Sequence, residues 1–247
     1  MDAAKVCTQL IGWLEAQLQQ SGARGFVVGL SGGLDSAVTA ALAQRAAPGH
    51  VLGLVMPCHS DPADQAHAVQ VAHQLGIEYQ VIDLGPVYDA LVERFQATLP
   101  PGVDPDRLRV VQANIKPRLR MLTLYHAAGL RGYLVLGTDN RAEVYTGYFT
   151  KYGDGGADLL PLADLVKGEV RALGRYLGLP EAILQRTPSA GLWADQSDEA
   201  EMGLSYEALD RYLLTGEGDP EVVARIEALH RATEHKRRLP PWPVVAR

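Results

Sequence analysis

Phe26-Val27-Val28 runs directly into Gly29-Leu30-Ser31-Gly32-Gly33-Leu34-Asp35-Ser36, and that loop opens the alanine-rich stretch Ala37-Val38-Thr39-Ala40-Ala41-Leu42-Ala43. An apolar run, a glycine turn and a helix-forming run in this order predict a buried strand feeding a helix. Free backbone N–H groups and the positive end of the helix dipole then converge on one spot. Such a spot suits an anion, above all a phosphate. A Walker A loop would carry a lysine after its glycines, and here Leu34 and Asp35 stand in its place. An acid among phosphates calls for a divalent cation between them, so Asp35 is expected to ligate Mg2+. The loop alone leaves open an ordinary strand-to-helix turn with a first-turn acid.

The strand-to-helix order recurs along the chain. Val6, Leu10, Trp13, Leu14 and Leu18 share one helical face near the start. Strands are predicted over 51–56, 77–84 and 133–136, and helices over 34–47, 62–75, 86–98, from about 106, up to 128 with Asn114 as its cap, 161–177, 205–214 and 220–233. At 247 residues and 47% hydrophobic, the chain is expected to form one α/β domain over 1–247, Rossmann-like and doubly wound, with a mostly parallel sheet and flanking helices. Ligands in such folds sit at the carboxyl ends of the strands. Three loops fall there: 29–36, Pro57-Cys58-His59-Ser60, and Gly137-Thr138-Asp139-Asn140. His59 is a candidate nucleotide contact. Residues 186–201 show no helical or strand period and hold Pro188, Gly191 and several acids, the pattern of a mobile lid.

A formal charge of −6 argues against nucleic acid or an anionic membrane as partner. No apolar run approaches the ~18 residues of a membrane span, and the opening residues predict an amphipathic helix in place of a secretion signal. Cys7 and Cys58 lack metal-ligand spacing, which suits a reducing, cytoplasmic location. Against this acidic background, the segment Gly137-Thr138-Asp139-Asn140-Arg141-Ala142-Glu143 and the following Tyr148-Phe149-Thr150-Lys151-Tyr152-Gly153-Asp154-Gly155-Gly156-Ala157-Asp158 stand out as polar and glycine-rich. The glycines allow close backbone approach, Glu143 can join Asp35 on a metal, and Lys151 can neutralise a phosphate.

The Ser-Gly-Gly-x-Asp-Ser loop resembles the PP-loop of the ATP pyrophosphatases, which adenylylate an acceptor oxygen, release pyrophosphate and let a nitrogen or sulfur nucleophile displace AMP. Four further stretches narrow the resemblance. They are the two just quoted taken together, Asn114-Ile115-Lys116-Pro117-Arg118-Leu119-Arg120-Met121, Pro188-Ser189-Ala190-Gly191-Leu192-Trp193 with Asp198-Glu199, and His235-Lys236-Arg237-Arg238. In that order, from about residue 7 to 238, the chain is similar to the ammonia-dependent NAD synthetases.

The resemblance implies ATP-dependent amidation of deamido-NAD by ammonia, through an acyl-adenylate, to NAD, AMP and pyrophosphate. By motif, Gly29, Leu30, Ser31, Gly32, Gly33, Leu34, Asp35 and Ser36 would hold ATP with Thr138, Lys167 and Ser189, and Asp35 and Glu143 would bind Mg2+. Arg118, Lys151, Asp158, His235 and Lys236 match deamido-NAD contacts; Asp154 matches a residue that positions ammonia, with Lys151 beside it in the catalytic set. Ser189 stands where threonine is more usual, Cys58-His59-Ser60 where arginine or glutamine is common, and Pro117 where alanine is. A homodimer is implied, with 114–128 as a candidate interface, and free ammonia as nitrogen donor, since the glutamine-using relatives carry an added amidase domain. Taken singly, Arg118 and Arg120 read equally as a solvated helix face, Asp158 as a turn residue and 235–238 as a basic helix end. Two rivals stand beside this reading: a tRNA-modifying PP-loop ligase, and a nucleotide sensor without turnover.

Overall fold

The computed structural model describes residues 1–189, 191–193 and 196–245. In chain order its elements are α1 (Ala3–Ser21), β1 (Phe26–Gly29), α2 (Leu34–Ala46), β2 (Val51–Val55), α3 (Pro62–Leu75), β3 (Glu78–Val81), α4 (Gly85–Gln96), α5 (Pro105–Ala113), α6 (Ile115–Arg131), β4 (Leu134–Leu136), α7 (Arg141–Thr146), α8 (Lys167–Tyr176), α9 (Glu181–Leu184), α10 (Asp198–Met202), α11 (Tyr206–Thr215), α12 (Pro220–Ala232) and α13 (Glu234–Arg237).

The four strands form one parallel sheet in the order β3-β2-β1-β4. Phe26 of β1 lies level with Val51 on one side and Leu134 on the other. The central strands are apolar throughout because helices cover both faces. On one face α1, α2, α3, α8 and α9 close over Phe26, Val28, Leu42 and Leu173. On the other, α4 and α6 cover Val27, Leu52, Leu54 and Val135. The expected doubly wound α/β architecture is thus present, with every pairing among the described residues parallel. Residues Ser36–Ala43 of α2 are all buried, since this helix is wedged between the sheet and α1 and α8; alanine permits that close approach. A third cluster, built on Leu209, Ile226 and Ala142, ties α11 and α12 to α7. No described helix is long and apolar enough to cross a membrane.

Two local expectations are corrected. Residues 161–166 are not helical. The preceding segment runs beside β4, with a bridge from Leu136 to Leu159 and backbone bonds of 2.9 Å from Gly137 N to Leu159 O and from Arg141 N to Leu165 O. Leu162, Leu165, Val170 and Leu173 keep a helix-like spacing because all four reach one core. Asn114 does not cap α6: its backbone is helical and its side chain makes no capping bond, since its amide oxygen accepts from the Thr150 hydroxyl at 2.6 Å. Residues 137–140 form a loop as expected, and the polar stretch beyond them, given no element from sequence, holds α7, begun by a capping box in which Asn140 accepts from Glu143 N and Glu143 accepts from Asn140 N. Among the described residues of 186–197 the irregular reading holds, and α10 then begins with Ser197 as its cap. Ala190, Ala194 and Asp195 of the expected lid lie outside the described residues.

Candidate active site

From β1 the chain winds outward through β2 to β3, then crosses back to place β4 on the far side of β1. The loops leaving β1 and β4 therefore part in opposite directions, and such a topological switch opens a crevice at the carboxyl edge of a parallel sheet. A cavity of about 500 Å3 lies there, lined by Gly29, Ser31, Gly33 and Asp35 from the first loop and Thr138 and Asp139 from the second.

The glycine loop is shaped from within. Ser36 donates to Gly33 O at 3.0 Å, Ser31 Oγ lies 3.0 Å from Ser36 Oγ, and Gly33 N donates to Ser31 Oγ at 3.2 Å. Gly32 takes φ +77°, and a Cβ there would stand 2.4 Å from the carbonyl oxygen of Asp64. Only glycine meets both demands. Gly32 and Ser36 thus hold the loop's form from behind, while its neighbours face the cavity.

At the centre of the site is a buried charge cluster. Lys167 opens α8, whose first two N–H groups are capped from another helix: Asp210 of α11 accepts from Lys167 N at 3.1 Å and from Gly168 N at 2.7 Å. This cap aims the lysine side chain at Asp35, with which it pairs, and brings its ammonium 3.6 Å from Glu143. Burial works against the ammonium, yet Asp35 and Glu143 outweigh it and hold its pKa above the ordinary lysine value. Burial pushes Glu143 up to about 7, against the pull of Lys167 and with the repulsion of Asp35. Tyr206 donates toward Glu143 at 3.0 Å and lies 3.2 Å from Asp198. Asn140 turns its amide toward Asp35 at 3.4 Å.

Of the residues assigned to ATP by motif, Gly29, Leu30, Ser31, Gly33, Leu34, Asp35, Thr138, Lys167 and Ser189 line this one cavity, together with Glu143 from the expected metal pair, whereas Gly32 and Ser36 do not. Of the five assigned to deamido-NAD, Lys236 lines the cavity and Arg118, Lys151, Asp158 and His235 do not. Lys236 donates at 2.7 Å to Gly147 O and to Phe149 O. Arg118 donates to Lys151 O at 3.3 Å, and Lys151 to His235 O at 2.6 Å, which chains α6, the 147–156 loop and α13 together. Asp158 accepts from Tyr125 at 3.0 Å and from Val135 N at 2.8 Å, beside β4. Asp154 faces the cavity, with Thr150 N donating to it at 2.9 Å; burial raises its pKa, against Lys236 and Arg120.

Some cavity residues escaped the sequence reading. Arg120 is turned inward, donating to Met56 O at 3.2 Å and Ser60 Oγ at 3.3 Å, whereas Arg118 two residues earlier is exposed. Arg186 pairs with Asp64 and donates to Gly32 O at 3.0 Å, joining the start of the 186–201 segment to the glycine loop. Tyr206, which does not line the cavity but bonds Glu143 of its wall, had no signal beyond the apolar face of its helix. His59 does not line this cavity; it bonds Asp89 at 2.7 Å and borders a separate cleft with Tyr88, Lys116 and Trp193.

Asp35 and Glu143 offer hard carboxylate oxygens around one buried ammonium, and such oxygens suit Mg2+. Among the described residues no three His, Cys, Asp or Glu side chains converge as an all-protein metal cage. An ion here would complete its shell with phosphate and water oxygens, as Mg2+ accompanying a nucleotide does. The residues fit that ion.

The sequence profile of the NAD synthase family matches residues 6–240. The chain is 48% identical over 237 residues to the NH(3)-dependent NAD(+) synthetase of Carboxydothermus hydrogenoformans, covering 96% of each. Among solved structures, NMN synthetase from Francisella tularensis superposes with a TM-score of 0.92 at 38% identity, covering 98% of this chain and 99% of the other. An NH3-dependent NAD synthetase from Campylobacter jejuni gives a TM-score of 0.79 at 29% identity, covering 99% and 100%.

Proposed function

The chain belongs to the NAD synthase family, and on that premise we propose that it amidates the nicotinate carboxylate of deamido-NAD with ammonia, consuming ATP and yielding NAD, AMP and pyrophosphate. The observation that carries this reading is the single cavity in which a lysine-free phosphate loop meets Asp35, Glu143 and Lys167 on one side and Asp154 and Lys236 on the other.

The N–H groups of 29–36 and the α2 terminus bind the phosphates of ATP and orient the α-phosphate toward the second substrate. Lys167 supplies positive charge as pyrophosphate departs. Asp35 and Glu143 would hold Mg2+, which when bound neutralises charge on the transferring phosphates. The acceptor carboxylate attacks the α-phosphorus to give an acyl-adenylate. Ammonia then displaces AMP at that carbonyl, beside Asp154. Arg118, Lys151, Asp158, His235 and Lys236 bind the dinucleotide acceptor. The segment 186–201, anchored at its base by Arg186, closes over the site and excludes water.

Exposed Val111, Leu122 and Tyr125 on α5 and α6 support a homodimer through this face, and two free buried thiols support a reducing cytoplasm. A second acceptor is favoured by one observation: the TM-score to the NMN synthetase is 0.92 against 0.79 for the Campylobacter NAD synthetase. On that reading the acid amidated is the mononucleotide and the product NMN. Assays with ATP, Mg2+ and either acid, each with ammonium or glutamine, decide. Dinucleotide amidation with ammonium supports the main reading; a large kcat/KM advantage for the mononucleotide would transfer the assignment, and pyrophosphate release with neither would overturn both.

A further inference from the structure

Among the described residues the cations lining the cavity are Arg120, Lys167, Arg186 and Lys236. Lys167 is spent on Asp35 and Glu143, Arg186 on Asp64, and Lys236 on two backbone carbonyls, Gly147 O and Phe149 O. Arg120 is held more lightly. It bonds Met56 O through Nε at 3.2 Å and Ser60 Oγ through Nη2 at 3.3 Å, and meets no carboxylate in an ion pair among the described residues. Nε and Nη2 form the side edge of a guanidinium, whose five N–H groups make a planar fork. The tip, Nη1 with the second hydrogen of Nη2, has no partner among the described residues.

Burial lowers the pKa of Arg120 from the ordinary arginine value, and Cys58, Asp154 and Asp64 support its charge only across space. A poorly solvated charge without a counter-ion is costly. A guanidinium fastened by its side edge, with its tip left over in a cavity, is arranged for an anion that arrives with substrate. Its place says which anion. Met56 directly follows β2, and a Cβ at Gly29 would lie 3.4 Å from the Met56 methyl, so Arg120 is anchored beside the root of the glycine loop. Across the cavity its electrostatic partner is Asp154 of the 150–156 loop. One phosphate must lie between those two sides: the α-phosphate, joined first to pyrophosphate on the glycine loop and then to the acceptor carboxyl.

We propose that Arg120 is a catalytic residue that grips the α-phosphate of ATP with the tip of its guanidinium and keeps hold of it in the acyl-adenylate until AMP leaves. The proposal rests on the adenylylating reaction above. An acceptor carboxylate oxygen bonds to the α-phosphorus, the P–O bond to pyrophosphate breaks, and pyrophosphate leaves with that electron pair. Negative charge on the non-bridging α-oxygens is met two at a time by the planar fork. In the second step ammonia nitrogen bonds to the carboxyl carbon, the C–O bond to the phosphate breaks, AMP leaves with that pair, and one nitrogen proton passes to solvent. Lys167 serves the pyrophosphate that departs; Arg120 serves the phosphate that stays.

The test compares Arg120→Met and Arg120→Lys with wild type by calorimetry, using AMP, inorganic pyrophosphate and adenosine as probes. In Arg120→Met the Kd for AMP is expected to rise about tenfold or more, the scale of lost charge-assisted hydrogen bonds. Pyrophosphate and adenosine should bind within about twofold of wild type. Lysine keeps the charge without the fork, so Arg120→Lys should weaken AMP by an intermediate factor and leave pyrophosphate alone; this pair of probes decides if the methionine variant does not fold. Exchange of pyrophosphate into ATP in the presence of deamido-NAD should drop ~100-fold in Arg120→Met, as for a lost donor to developing charge. Equal weakening of AMP and adenosine would make Arg120 a nucleoside contact, and equal weakening of all three probes a structural residue. Unchanged AMP binding with a raised KM for deamido-NAD would place it on the acceptor, and each of these results overturns the proposal. AMP binding requires no acceptor, so a wild type that performs no exchange with deamido-NAD refutes the proposed reaction while the AMP comparison still judges Arg120.

Discussion

Replacing Lys167 with methionine keeps the length of the side chain and removes the one cation that lies between Asp35 and Glu143 in the described structure. The lysine side chain is 4% exposed and the two carboxylates 16% and 13%, so little solvent screens what remains. Removing one partner of a buried ionic group costs about 3–5 kcal/mol. In a chain of this size each kcal/mol moves Tm by roughly 2–4 °C, which puts the loss at roughly 6–20 °C. The loss must depend on pH, and its sign is set by Glu143. Even beside Lys167 its pKa is raised from 4.5 to about 7, so between those values the folded state binds protons that the unfolded state has released. Stability from this group is present at acid pH and declines as pH rises through about 7. Without Lys167 the window extends higher. Thermal unfolding of wild type and K167M at about pH 5 and about pH 8, each with and without millimolar Mg2+, reads all of this. The deficit should be largest at the higher pH without Mg2+, and should shrink when acid or Mg2+ is supplied. An unchanged Tm at about pH 8, or a deficit indifferent to pH, would refute the buried-cluster argument.

Other perturbations separate the parts of the site. Tyr206→Phe removes the hydroxyl shared by Glu143 and Asp198; a loss of about 1–3 kcal/mol is expected, seen by calorimetry as weaker binding of Mg·ATP, and unaltered binding would make Tyr206 a packing residue only. Gly32→Ala puts a Cβ 2.4 Å from Asp64 O at φ +77°, so ATP binding should be lost while the far-UV spectrum stays close to wild type; retained affinity would show that the loop can be rebuilt. Lys236→Met frees Gly147 O and Phe149 O and should raise the KM for the nucleotide acid about tenfold or more, on the scale of ~1.5–3 kcal/mol for a charged hydrogen bond, while leaving the KM for ATP nearly unchanged. A matching rise for ATP would merge the two halves of the cavity.

The β1-loop-α2 unit was legible because each of its determinants is local: apolar residues in a row, glycines at the turn, and alanines behind them. The same holds for α3, where Asp61, Pro62 and Gly76 mark the cap, first turn and left-handed stop. Residues 161–166 misled for the opposite reason. A hydrophobic spacing records only that Leu162 and Leu165 are buried, and it is blind to the backbone bonds from Gly137 and Arg141 that hold the chain irregular there. Asn114 carried a helix-cap signal, and Thr150, 36 residues away, claimed its side chain. Arg118 and Arg120 look alike in one dimension, yet one is exposed on α6 and the other is drawn under Met56 and Ser60.

The sequence alone therefore determined the α/β order and the glycine loop between β1 and α2, since strand, turn and helix preferences act over a few residues. Only the tertiary structure decided which charges meet. Asp35, Glu143 and Lys167 lie more than a hundred residues apart at the extremes, and they share one buried pocket because the sheet order puts β4 beside β1 and Asp210 of α11 caps the helix that carries the lysine. Electrostatic energy depends on distance and burial in space, and neither is written into neighbouring residues.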